Sequence, residues 1–417
     1  MDINYKINQY LDEYMKVWPF SGVISVAREG KLIFSKGYGM ANIEHSVPNT
    51  PKTKYKIASL TKQITCAGIM ILQEKGLLNV QDSIRRFFPD YPEFGERITV
   101  HHLMTNTSGL FNNLMELNPY FILGKFLLSH KEILNLFKDM PPEFEPGKDW
   151  SYCYFGYYLL GVIIERVSGK SYIDFLKENI FQPLGMNDTG FDDYFEIIPS
   201  KVSGYYATHE RVVCGETDAM SAFSAGSLYS TVEDMFLWDQ ALYADKILSK
   251  KSKDEMFTPD KEDYGYGWVI EKNLNRKRVH HSGGGNGFSH QFHRYIDDNV
   301  SILVLSNYGF ANSFKINEDI AKIVFAEEYC IPTKPKAFNM DLKIYDEYIG
   351  IYKDQWIKYE VKREGEKLYF IEDGKWAMPI YPISESKFHH TWIDQEYTFE
   401  KNNSGEICFE GVKKLEI

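Results

Sequence analysis

The sequence predicts an α+β protein: an antiparallel sheet flanked by helices, a helical subdomain inserted into it, and a small C-terminal antiparallel β domain. Three observations lead there. Strand patterns stand at both ends of the first 330 residues with helical patterns between them, which implies one sheet assembled from both ends. A proline-bearing stretch, Ile331-Pro332-Thr333-Lys334-Pro335-Lys336, then interrupts the chain. Beyond it, short alternating runs continue to residue 417. At 417 residues the chain exceeds what one core can organise. The expected division is a first domain over 1–330, with its helical subdomain at about 80–210, and a barrel-like β domain over 337–417.

In chain order, Ile3, Ile7, Tyr10, Leu11 and Tyr14 recur at helical spacing among acids and amides, the pattern of a surface helix. Gly22–Ala27 and Leu32–Ser35 flank Arg28-Glu29-Gly30-Lys31, a hairpin with the glycine its turn needs. From Ile57 to Gly76, Leu60, Ile64, Ala67, Ile71 and Leu72 mark a buried helix that Gly76 stops. The 80–210 stretch carries mostly helical patterns, with loops at Thr105–Gly109, Pro146–Gly147 and Pro183–Gly185. Ser230-Thr231 opens a helix over Val232–Leu242. Strands follow at Tyr266–Glu271, Arg278–His281, Phe288–Ile296 and Ser301–Leu305. The C-terminal strands turn at Glu364-Gly365, Asp373-Gly374 and Ser404-Gly405.

Composition narrows the function. With 44% hydrophobic and 25% charged residues the chain is an ordinary globular sequence. A net charge of −11 opposes binding to nucleic acid or an anionic membrane. No apolar run approaches the roughly 18–20 residues of a membrane span, and no N-terminal signal sequence is visible. The expectation is therefore a cytoplasmic protein, although a chain trimmed of its export signal would read the same. The five cysteines (Cys66, Cys153, Cys214, Cys330 and Cys408) show neither a disulfide framework nor a zinc spacing. His280, His281, His290 and His293 invite a zinc reading. On strands, however, each of the pairs 280/281 and 290/293 points to opposite faces, so no metal or other cofactor is expected.

Ser59-Leu60-Thr61-Lys62 carries the chemistry. A serine three residues before a lysine on one helix puts hydroxyl and amine on the same face. Such a pair makes a nucleophile without a Ser-His-Asp triad. About one or two such strings arise by chance in a chain this long, so context decides. Downstream stand Pro146-Gly147-Lys148-Asp149-Trp150-Ser151-Tyr152-Cys153-Tyr154-Phe155-Gly156-Tyr157 and His281-Ser282-Gly283. In that order the three strings resemble the motifs of the serine β-lactamase and penicillin-binding-protein superfamily. The similarity points to its class C β-lactamase-like branch of D-alanyl-D-alanine carboxypeptidases, D-aminopeptidases and esterases. Further strings agree: Ile98-Thr99-Val100-His101-His102-Leu103-Met104-Thr105-Asn106-Thr107-Ser108-Gly109-Leu110, Pro183-Leu184-Gly185-Met186, Gly226-Ser227-Leu228-Tyr229-Ser230-Thr231 and Tyr264-Gly265-Tyr266-Gly267-Trp268. The resemblance covers roughly residues 5–325. The part after 336 resembles the small lipocalin-like appendages of some members.

The resemblance implies a β-lactamase/transpeptidase-like fold and acyl transfer to water through a Ser59 acyl-enzyme. Either Lys62, if buried and partly neutral, or a Tyr152 phenolate beside charged Lys62 takes the serine proton; the two act jointly. The backbone N–H groups of Ser59 and Gly284 would form the oxyanion hole, His281 would join Ser59, Lys62 and Tyr152 in the catalytic set and line the pocket, and Ser282, Gly283 and Tyr154 would line the substrate cleft. Two departures from the family pattern matter. Tyr154 stands where amide-cleaving relatives usually have asparagine, which leans the reading towards esters or unusual amides. His281 replaces a charged lysine, so an activity limb near an ordinary histidine pKa is expected. The implied partners are small ester, amide or peptide substrates, with β-lactams among the candidates. An acyltransferase using the same residues, or a non-catalytic scaffold of the same fold, stays open at this point.

Overall fold

Six strands form the sheet around which the first 330 residues are organised. The computed structural model describes residues 2–111, 129–193, 196–208, 211–214, 222–285, 287–353, 358–372, 377–402 and 404–415. The strands are β1 (Gly22–Arg28), β2 (Lys31–Tyr38), β3 (Val269–Asn273), β4 (Arg276–Gly285), β5 (Phe288–Tyr295) and β6 (Val300–Ser306), in the spatial order β3-β4-β5-β6-β1-β2. The chain's two ends meet where β1 pairs with β6, from Gly22 opposite Ser306 to Arg28 opposite Val300. The β1–β2 turn places Glu29 and Gly30 at positive φ (51° and 74°), the paired left-handed geometry of a tight hairpin.

Both faces of the sheet are covered, which is why β6 carries the continuous apolar stretch Ile302–Leu305 and is buried along its whole length. On one face, Ile24, Val26, Ile302 and Val304 pack against α1 (Ile3–Val17) and a C-terminal helix at Ser313–Phe325. Asn312 caps that last helix, and Ile316, Ile320, Ile323 and Val324 form its buried stripe. The sequence reading placed no helix after Leu305; the asparagine cap and the isoleucine spacing were its signal. On the other face, Val23, Leu303, Leu305, Val279 and Phe292 pack with α2 (Thr61–Glu74) and α3 (Tyr154–Ser168).

Among the described residues of the 80–210 stretch, helix and irregular chain alternate. Besides α3, the described residues there form helices at Val100–Met104 and His130–Phe137, and a continuous helical run in which Tyr172–Leu176 passes through a π-helical turn, Lys177–Phe181, into Gln182–Leu184. Short strands lie at Gly190–Phe191 and Tyr205–Ala207. Prolines at 89, 92, 141 and 142 fall between the apolar clusters and stop propagation after a turn or two. The expected helix after Thr231 spans Val232–Ala241, and Thr231 does cap it.

The C-terminal domain is an eight-stranded antiparallel sheet running from Gly350–Lys353 to Val412–Lys413, each strand paired with the next. A bridge between Tyr352 and Lys414 brings the last strand against the first, so the sheet curls into a barrel. Tyr352, Phe388, Phe399 and Phe409 fill its interior at 1% exposure or less. The expected turn at Asp373-Gly374 lies outside the described residues. The barrel rests on the first domain through Trp18 stacked on His389 (4.9 Å) and through the Trp392 indole N–H, which donates to the Thr208 carbonyl (3.1 Å).

Candidate active site

Ser59 sits in a single 3-10 turn, Ala58–Leu60, that runs straight into α2. Ala58 holds φ at 49°, a left-handed conformation that costs a non-glycine residue about 1–2 kcal/mol. Fixing the chain there are the Ile57 N–H donated to the Leu228 carbonyl (2.9 Å) and the sheet edge packed against the turn. Backbone strain held by its surroundings is common where a reactive side chain must be presented.

Lys62 lies one turn on, 1% exposed. Its Nζ stands 3.0 Å from Ser59 Oγ and donates to the Ala225 carbonyl at 2.8 Å. Burial lowers its pKa to about 7, and the Cys153 and Cys66 thiols only partly oppose that. Burial pushes those thiols themselves up to about 12. Near neutral pH, therefore, a large share of Lys62 is free amine. Tyr152 brings its ring under the Lys62 nitrogen (4.8 Å) and its phenol into hydrogen bonding with the Ser59 hydroxyl. Burial raises the Tyr152 pKa above its ordinary value, and the Ser59 hydrogen bond offsets only part of the rise. The phenol thus keeps its proton where Lys62 has begun to lose its own.

The third element is the edge of β4. Its partner β3 pairs only as far as Val269 opposite His280. From His281 to Gly285 the strand is paired on one side, with β5, and its other edge is turned to Ser59. Gly283 packs so tightly there that a Cβ would lie 2.6 Å from the Ile57 carbonyl oxygen and 3.3 Å from Leu60 Cγ. Gly284 and Ser282 are exposed. An unpaired strand edge beside a nucleophile offers main-chain donors and acceptors to an extended substrate.

The structure corrects the expectation for His281. The ring is 3% exposed, and its Nδ1–H donates to the Ser282 carbonyl (2.6 Å). That leaves Nε2 to accept from the Tyr264 hydroxyl at 2.9 Å. Burial first, then the Lys62 charge, push the His281 pKa down to about 3. The imidazole is neutral throughout the working range and supplies no limb near neutrality. Its ring packs beside both Tyr264 and Tyr152, with centroids 5.8 and 6.1 Å away, and those two tyrosines meet edge-on at 6.3 Å.

Tyr154 is the first residue of α3, half-buried against the main core. The Cys153 thiol caps the same helix by accepting the Gly156 N–H (3.3 Å). Tyr264 and Ala225 were not assigned roles from sequence, although both lie in or beside strings that carried the resemblance. One signal for Tyr264 was available, the glycines around it. Gly267 at φ 77° presses on the backbone of α2, where a Cβ would lie 2.8 Å from Gln63 Cα. His280 and His293 face each other across β4 and β5, ring centroids 5.1 Å apart, on the face where Phe314 packs. Among the described residues no group of three or more His, Cys, Asp or Glu side chains converges as a metal site requires.

A serine and a buried amine at the start of a helix, a phenol from the segment just before the neighbouring helix and a strand edge opposite them define a serine hydrolase of the penicillin-binding-protein and β-lactamase type. Comparison with known proteins agrees. The family model described as Beta-lactamase matches residues 7–325, and the chain belongs to that family. Penicillin-binding protein 4* of Bacillus subtilis (strain 168) is 32% identical, with 91% of this chain and 90% of that protein covered. The octameric penicillin-binding protein homologue from Pyrococcus abyssi superposes with a TM-score of 0.69 at 27% identity, covering 100% of both chains. The D-amino acid amidase from Ochrobactrum anthropi SV3, solved with L-phenylalanine amide, gives 0.65 at 25% identity, over 78% of this chain and 97% of that one. No helix among the described residues is long and apolar enough to cross a membrane.

Proposed function

We propose that the protein hydrolyses a small ester, or an amide of a D-amino acid, through an acyl-enzyme on Ser59. The observation that carries this reading is the contact between Ser59 Oγ and the buried Lys62 amine, whose pKa burial lowers to about 7, with the Tyr152 phenol on the same hydroxyl. Ser59 Oγ attacks the carbonyl carbon while its proton passes to Lys62 Nζ. The carbonyl oxygen becomes an oxyanion held by the N–H groups of Ser59 and Gly284; losing one such donor typically costs about 2.7–4 kcal/mol. On collapse the leaving alkoxide or amine takes the Tyr152 proton, and the Lys62 ammonium restores it. Water then attacks the ester carbon and gives its proton through the same pair, freeing the acid and Ser59. Lys62 serves as base and Tyr152 as the proton relay, which is the division their opposite pKa shifts favour.

Tyr154, in the place of an amide-recognising asparagine, forms the pocket wall in this reading and Ser282 and Gly283 the strand side of the cleft. That selects esters and D-residue amides over larger peptides. The amidase among the structural neighbours supports the same class. If the enzyme works in the cytoplasm, mature cell-wall peptide is out of its reach and small substrates are what remain.

Intact-mass spectrometry after incubation with a penicillin and, separately, with an activated aryl ester tests the reading, with Ser59→Ala as control. An acyl adduct from the ester on the wild type alone is expected. A penicilloyl adduct would move the assignment towards a penicillin-binding peptidase. Wild type inert to both reagents would overturn catalysis and leave a binding scaffold.

A further inference from the structure

The loop Thr105–Gly109 contributes a group that neither the motifs nor the mechanism above uses. Asn106 is fully buried and holds φ at 60°. Its main-chain carbonyl accepts the Ser151 N–H at 3.0 Å, and its side-chain Oδ1 accepts the Cys153 N–H, also at 3.0 Å. One residue thus clasps the backbone on both sides of Tyr152. Residues 151–153 belong to no helix or strand, since α3 begins only at Tyr154.

We infer that Asn106 is the positioning residue for Tyr152, fixing the backbone from which the phenol reaches Ser59. The loop is rigid enough for the task. The Thr107 N–H donates to the His102 carbonyl (3.0 Å), the Gly147 N–H to the Thr107 carbonyl (2.8 Å) and the Glu143 N–H to the Gly109 carbonyl (2.8 Å). Gly109, at φ 69°, lies so close to residue 144 that a Cβ would fall 2.0 Å from the Phe144 carbonyl oxygen. Asparagine suits the position for two reasons. It tolerates the left-handed conformation, and its short amide puts a neutral acceptor one residue's reach away. A glutamine would overshoot, and an apolar side chain would orphan the Cys153 N–H. The rest of the amide, Nδ2, is buried on the side of the Tyr264 hydroxyl.

This inference rests on the reading that Tyr152 assists Ser59, and a double-mutant cycle separates the two. The measurement is the second-order rate constant for acylation of Ser59 by an activated aryl ester. Asn106→Gly removes the amide but keeps the left-handed backbone unstrained. It should lower acylation by about 10- to 100-fold, the scale of a misplaced catalytic group. In a Tyr152→Phe background the same change should cost less than about 3-fold, because nothing remains to be positioned. Asn106→Asp, which keeps an oxygen acceptor for the Cys153 N–H, should recover most of the loss. Asn106→Ser serves the same cycle should the glycine variant fold poorly. An equal fall in both backgrounds, or none in either, overturns the inference while leaving Tyr152 in place. Full activity in Tyr152→Phe alone overturns the mechanistic reading and the inference with it.

Discussion

The two sheets of this protein solve the edge problem in opposite ways. The C-terminal sheet closes through the Tyr352–Lys414 bridge, and its interior is filled with aromatic rings. The six-stranded sheet stops its β3–β4 pairing at His280 and leaves His281–Gly285 unpaired on the side of Ser59. A closed barrel satisfies its own backbone groups and has none to offer. An interrupted ladder keeps N–H and C=O groups free at the point where a nucleophile can use them. In the proposed reading the chemistry lies where pairing ends, and the barrel, closed on itself, has no such edge.

That contrast can be broken most directly at the nucleophile's base. Lys62→Met should reduce acylation by about four orders of magnitude or more, the scale seen when one member of a coupled catalytic set is removed. Stopped-flow acylation by an activated ester measures it; a loss under tenfold would shift the base role to Tyr152. Next in size, Gly283→Val should push the strand edge off the Ile57 carbonyl and cost about 100-fold in acylation. Circular dichroism should show the fold retained. In the barrel the same class of experiment should separate differently. Phe409→Ala, at a fully buried ring, should destabilise by about 3–5 kcal/mol in denaturant titration. Acylation of the protein that remains folded should stay within about twofold, and a larger change would show that the barrel shapes the cleft.

The smallest effect is the most discriminating. Lys62 has its pKa lowered to about 7, so it gains a proton as pH falls through neutrality and can no longer accept one from Ser59. Acylation should therefore fall about tenfold per pH unit on the acid side of that value and stay level above it. His281 is already neutral there, with its pKa pushed down to about 3. His281→Gln should lower the rate modestly and leave the limb where it is. A limb displaced by the substitution would restore the role the sequence suggested for the imidazole.

Acid stability follows the same sign. Burial pushes His280 and His290 down to about 4 and His281 and His390 down to about 3. The unfolded chain binds protons at these sites from about pH 6.5 downward and the folded chain does not. Folding stability should therefore decline as pH falls from about 6.5 towards 4, which denaturant titrations across that range would show. Stability unchanged over the window would mean that these rings are solvated.

How much of this was legible in the sequence depends on the separation of the parts. The Ser59–Lys62 contact is local, three residues along one helical turn, and a 3.6-residue period places it without tertiary information. The sheet's assembly from both ends was legible for a similar reason. β6 and β1 are largely apolar stretches bounded by turns, and the hairpin's Glu29-Gly30 is a local code. Tyr152 stood in an aromatic run that would otherwise read as core, and only its resemblance to a known motif singled it out. Asn106 lies within a string that carried the resemblance, but nothing there assigned it a role. Its partners lie some 45 residues on, and an asparagine in a loop ordinarily means a turn.

The sequence by itself thus determined which groups could react and the order of elements that carries them, because spacing, turn chemistry and apolar period act over a few residues. Only the tertiary structure decided the protonation states. Burial among Ala225, Tyr152 and Tyr157 lowers the Lys62 pKa to about 7, and burial beside Tyr264 keeps His281 a neutral acceptor. A pKa is set by the dielectric and partners that distant segments bring together, and no local string of residues encodes those.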